Sequence, residues 1–193
     1  MQGNSMMSVM CRDGIRAAVL IGVFAIGADA CAQANSGVSK VGDAALTSGL
    51  AVPRFVSIKP SRVNLRSGPG TEYPTTWVYK REGLPLEIIK EFEAWRQVRD
   101  SEGSTGWVLQ HLLSGRRTAL IASWEVKPGV PPPQIALYAE ESENARKVAT
   151  VEAGVIANVV SCNGRWCYVA IENYRGYIQQ KTLWGVYEAE VVK

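Results

Sequence analysis

The 193 residues contain one histidine, His111, and phenylalanine (three) and cysteine (four) are few as well. A lone imidazole gives a cysteine nucleophile at most one possible base and leaves a metal site short of ligands, so no catalytic residue, metal or cofactor is expected. No apolar run approaches the roughly 20 residues needed to span a bilayer, so no transmembrane segment is expected in the mature chain. Charge of one sign is also missing: 21 Lys and Arg face 18 Asp and Glu, a net +3 with no concentrated basic stripe, so nucleic acid is not an expected partner. Glu91 and Glu93, or Glu140 and Glu141, could imitate a glycosidase pair, but they read as acidic turn residues. Gly68-Pro69-Gly70 is followed by neither a lysine nor a helical pattern and reads as a turn, not a phosphate loop. What remains, 47% hydrophobic and 20% charged, is the composition of one or two ordinary globular domains.

Arg12 and Arg16 precede the apolar run Ala17–Ile26, and small residues follow at Ala28, Ala30, Ala32 and Ala34. That order predicts a secretory signal peptide over 1–34, then a Gly-, Ser- and Ala-rich flexible leader over 35–52. Cys31 lacks the leucine three residues earlier that a lipidation site carries, so the mature chain is expected to be cleaved and periplasmic or secreted. Only Cys162 and Cys167 then remain, an even count in an oxidising compartment, which predicts a disulfide. Asn163-Gly164 between them is a hairpin signal. If all four intervening residues form the loop, the cysteines face each other at its base; a two-residue Asn-Gly turn would pair Cys162 with Arg165 instead.

The strongest pattern is an internal repeat. Leu65 returns as Leu137, Gly83 as Gly154, Trp95 as Trp166, Val98 as Val169, Gly106-Trp107 as Gly176-Tyr177, Leu112 as Leu183 and Gly115 as Gly185. A recurring order of G, W-x-x-V, G-[WY] and L-x₂-G predicts one small fold made twice. Its opening VNLRSGPGTEYP and closing GWVLQHLLSG resemble the bacterial SH3-like (SH3b) domain, and the ending LWGVYEAE with the short cysteine hairpin resembles exported double SH3-like proteins of alphaproteobacteria. The resemblance implies an all-β chain with two small five-stranded barrels in tandem, barrel 1 over 53–122 and barrel 2 over 134–193. Thr118–Ala122 is expected to pair with Arg54–Ile58 and close barrel 1. The proline-rich linker 123–133 is expected in extended polyproline form, within the stretch Val126–Gln134. Residues 53–117 carry 11 Lys and Arg against 7 Asp and Glu, whereas 134–193 carry 6 against 7, so the copies are expected to meet different surroundings.

Alternation along strands places Val98, Val108, Val169 and Ile178 inside and Trp95, Trp107, Trp166 and Tyr177 on outer faces. The candidate ligand grooves are therefore Tyr73, Trp95 and Trp107 with Arg66 nearby in the first copy, and Tyr138, Trp166 and Tyr177 in the second. Ala136-Leu137-Tyr138 and Gly176-Tyr177-Ile178 echo the eukaryotic SH3 signatures, yet Gln179 stands where the second has proline, so recognition of PxxP peptides is not expected. The resemblance implies a non-enzymatic protein docking on cell-wall peptidoglycan or its stem peptides, or else a scaffold for an envelope protein.

Overall fold

The computed structural model describes residues 48–193; the expected signal peptide and most of the leader lie outside the described residues. The first copy contains β1 (Arg54–Ile58), β2 (Val63–Arg66), β3 (Thr75–Tyr79), β4 (Pro85–Phe92), β5 (Trp95–Arg99), β6 (Thr105–Leu109) and β7 (Leu113–Ser114). The second contains β8 (Thr118–Ile121), β9 (Gln134–Tyr138), β10 (Lys147–Glu152), β11 (Ile156–Asn163), β12 (Trp166–Ile171), β13 (Tyr174–Gln179), β14 (Leu183–Trp184) and β15 (Val191–Val192). The first sheet runs β3-β2-β6-β5-β4-β1-β7 and the second β10-β9-β13-β12-β11-β8-β14, with β15 added on β11. The order is the same in both copies. Each has more strands than five because the segment after the first strand makes a hairpin of its own and a two-residue strand follows the 3₁₀ turn.

Thr118–Ile121 belongs to the second copy, not the first. It pairs with β11 and β14, while β1 pairs with β4 and β7. Val56 opposes Leu86 and Ala119 opposes Ala157, so the partners are 71 residues apart (157 − 86) but the first strands only 63 (119 − 56). The difference lies in the connection to the next strand, residues 59–62 in the first copy and 122–133 in the second. That longer connection is not extended throughout. Val130 N–H donates to Lys127 O at 3.3 Å and Gly129 has φ 74°, as Pro128-Gly129 at the centre of a type II turn requires.

The repeated residues have physical reasons. Gly106 and Gly176 sit where the second strand of each copy crosses the sixth, with Arg66 opposite Trp107 and Tyr138 opposite Tyr177. A Cβ at Gly106 would stand 2.8 Å from the Arg66 carbonyl oxygen, and one at Gly176 would stand 2.9 Å from that of Tyr138. Only glycine admits so close a crossing. Val63, Leu65, Leu86, Ile88, Val98 and Val108 fill the first core, and Ala119, Ile121, Leu137, Val169 and Ile178 the second.

The copies also pack on each other. Glu87 opposes Phe55 on a face that alternation turns outward, yet it is only 4% exposed, because the second copy covers it. Phe55 meets Trp184 edge-on at 5.2 Å between ring centroids and Tyr187 at 4.7 Å. The Tyr187 hydroxyl donates to Glu87 Oε1 at 3.0 Å, and Arg99 donates Nε and Nη2 to Oε2 at 2.8 and 2.5 Å. Burial, then the Glu87 carboxylate, push the Tyr187 hydroxyl well above the ordinary tyrosine pKa, so it stays a donor. Thr118 Oγ1 donates to Gly83 O at 2.7 Å and Arg81 Nη2 to Gly154 O at 3.1 Å, completing the seam.

Candidate functional site

The aromatic candidates of the first copy lie on its outer face, but the two tryptophans are covered. Trp95 and Trp107 are 8% and 9% exposed, and the hollow beside Trp95, lined by Arg62, Asn64, Arg66, Leu109 and Leu112 among others, holds only about 250 Å³. Arg66 does not reach toward a ligand: its Nη1 donates to Thr71 O at 3.0 Å and Tyr73 O at 2.6 Å, closing its own loop. Tyr73 is exposed, with its ring laid against Gly68. In the second copy the candidates do gather. Trp166 meets Tyr138 edge-on at 5.8 Å, Tyr177 opposes Tyr138 in register, and Tyr177 packs on Tyr168 at 4.9 Å. All three are half-buried, and Trp166 borders a groove of about 650 Å³ with Arg165 and Lys181.

A wider concavity than either of these lies elsewhere, along the seam between the copies. A groove of about 950 Å³ is walled on one side by Trp77 to Arg81 and by Asp100 to Glu102, and on the other by Leu120, Ser123, Trp124, Val126 and Gly154. Trp77 on β3 is 61% exposed, and Trp124, on the 3₁₀ turn Ser123–Glu125 of the connection, is 53% exposed. Neither is among the sequence candidates, which strand alternation and neighbouring loops single out. The tyrosine beside them is fixed: Tyr79 donates to Asp100 Oδ2 at 3.0 Å, while Asp100 Oδ1 accepts from the N–H groups of Glu102 and Ser104 at 3.0 and 2.9 Å. Burial, then the Asp100 carboxylate, hold the Tyr79 hydroxyl protonated. Asp100 thus accepts three hydrogen bonds from its own domain, and the other polar groups of the rim are Arg62, Lys80, Arg81, Ser101, Glu102 and Ser123.

Glu91 is not a solvated turn residue. It lies on β4 with a side chain only 2% exposed, 2.5 Å from Arg54 Nη2 and 3.0 Å from Arg96 Nε, and it accepts from the N–H and the hydroxyl of Ser48. Burial raises its pKa, but the Ser48 N–H and the Arg54 guanidinium outweigh that and hold it at about 2. Such a carboxyl is ionised at neutral pH and donates no proton there. Glu91 opposes Arg96 in the β4–β5 register, and Cys162 opposes Cys167 in the β11–β12 register, 71 residues on in each case (162 − 91, 167 − 96). An ion pair and a disulfide therefore hold the same hairpin base in the two copies. The cysteines are bonded as expected, with Asn163 to Trp166 as the intervening residues; Asn163 Oδ1 accepts from the N–H of Arg165 at 2.9 Å and of Trp166 at 2.8 Å.

In Bacillus subtilis (strain 168), the protein named "Putative N-acetylmuramoyl-L-alanine amidase YrvJ" aligns over 126 residues at 24% identity, covering 64% of this chain and 24% of that protein. The chain therefore spans about a quarter of that relative's length. Among solved structures, NlpC2 from Trichomonas vaginalis aligns at 13% identity and a TM-score of 0.31, covering 70% of this chain and 49% of that one. An NlpC/P60 family protein from Bacillus cereus ATCC 10987 aligns at 12% identity and a TM-score of 0.30, covering 67% of this chain and 55% of that one. The family model described as Bacterial SH3 domain matches residues 59–115 and again 132–185, each match holding the second to seventh strands of one copy. The chain belongs to the bacterial SH3 domain family, whose domain it carries twice.

Proposed function

We propose that this chain is a non-enzymatic binding protein of the cell envelope, periplasmic or secreted, that docks on peptidoglycan through the groove between its two domains. The observation that carries the reading is the pair Trp77 and Trp124, two large exposed aromatic residues lining one groove. An aromatic face stacks a sugar ring for about 1 kcal/mol beyond the area it buries. Lys80 and Arg62 on the rim attract the carboxylates of stem peptides. Tyr138, Trp166 and Tyr177 of the second domain offer a second point of attachment, and two weak points on one rigid chain act at high effective concentration. The relative named as an N-acetylmuramoyl-L-alanine amidase supports a wall ligand, because that name specifies a bond between wall sugar and wall peptide. A binding role accords with the chemistry among the described residues: Cys162 and Cys167 are bonded to each other and Glu91 is held ionised.

The test is retention of the mature protein on purified sacculi beside an envelope extract. Trp77→Ala and Trp124→Ala should each lower retention while leaving the unfolding midpoint unchanged. Wild-type protein that ignores sacculi and captures one envelope protein would replace this reading with the scaffold.

A further inference from the structure

The wall of the groove formed by Trp77, Val78, Tyr79, Lys80 and Arg81 is a run of five consecutive residues. Side chains on a strand alternate between faces, so neighbours in sequence line one groove only where the strand presents its edge. β3 is the first strand of its sheet and pairs with β2 alone. Among the described residues, no backbone hydrogen bond outside that ladder engages 75–80. An edge of this kind is a template for another strand unless something blunts it; Pro74 and a bulge at Thr76 blunt the start of β3, but Trp77–Tyr79 run on regularly from there to Lys80 and Arg81. The groove beside it has room for a strand, and its far wall supplies Leu120, Trp124 and Val126 for apolar side chains. Its charged lining is three cations, Arg62, Lys80 and Arg81, against two carboxylates, Asp100 and Glu102, and Asp100 is already engaged by three hydrogen bonds, so the excess is one positive charge.

We propose that the free edge of β3 captures an extended, carboxylate-bearing segment of a partner protein by strand addition, its apolar side chains lying against Trp77 and Trp124. Main-chain hydrogen bonds supply the affinity, and the pockets for alternate side chains supply the selectivity. The inference goes beyond wall binding: it adds the strand edge to the groove and shares Trp77 and Trp124 with that reading.

The probe is a synthetic L-peptide of about eight residues alternating valine and glutamate, long enough to cover β3, titrated into the mature protein and followed by tryptophan fluorescence. The control is the same peptide N-methylated at every second residue along one edge. Saturable binding is expected, weakened about tenfold or more by N-methylation through lost main-chain hydrogen bonds. Hydrogen exchange should slow at the amides of 76–80, and Lys80→Glu should weaken the peptide several-fold through charge reversal. No saturable binding, equal binding of the N-methylated peptide, or binding without protection of β3 would each overturn the proposal. Retention on sacculi, measured on the same preparation, separates the two readings: a peptide that fails on protein still held by sacculi removes strand capture alone.

Discussion

Acid should act on this protein through Glu91 before it acts elsewhere in the first domain. The carboxyl has an ordinary value of 4.5 and a folded value of about 2. Because the folded pKa is the lower one, its stabilising contribution is fully present above about 4.5 and is lost as pH falls through about 2. The side chain is only 2% exposed, so solvent screening is slight, and the difference corresponds to about 3 kcal/mol. Glu190 adds in the same direction: its burial raises the pKa, but the hydrogen bonds from Arg117 and the Tyr187 N–H outweigh that and lower it. Urea unfolding followed at several pH values should therefore show a plateau above about pH 5 and a fall below it. Glu91→Gln should already have lost about 3 kcal/mol at neutral pH, since it leaves Arg54 and Arg96 facing a neutral amide, and should show a much flatter acid slope. A variant with the wild-type slope would refute the reasoning, because the titrating group would then be another one.

Reduction should do to the second domain what acid does to the first: breaking Cys162–Cys167 removes a small closed ring worth roughly 2 kcal/mol, and alkylation without reductant should label neither cysteine. The seam is tested by Tyr187→Phe, which strips one donor from the buried Glu87 carboxylate and should lower stability by about 2 kcal/mol. Combined with Phe55→Ala it should split a single unfolding transition into two, read separately at the Val98 and Val169 amides; coincident transitions in the double variant would show that the seam does not couple the domains. Trp95→Ala should destabilise by about 3 kcal/mol, as deletion of a covered aromatic does, whereas Trp77→Ala should leave the midpoint unchanged.

Recurrence made the fold legible and hid the site, and both effects have the same cause. A residue that returns some 71 positions later is held there by a demand both copies share. Gly106 and Gly176 return because one strand crosses another too closely for a Cβ. Trp95 and Trp166 occupy the same corner of each sheet, and the price of that regular position is that Trp95 is covered. The first strand escaped the repeat because its spacing differs: Thr118–Ile121 stands beside the end of the first copy in sequence, while the long connection 122–133 separates it from its own sheet. The proposed groove draws on what the copies do not share. Trp77 and Trp124 have no aromatic counterpart in the other copy, Phe55 is matched by Thr118, and Trp184 is matched by Ser114, the equivalent position of the two-residue strands. The first two of these line the groove, while Phe55 and Trp184 form part of the seam beside it. Two identical domains could not pack face to face in tandem with each keeping the same surface free. The copies have diverged at the residues that join them, and the groove is a product of that joining.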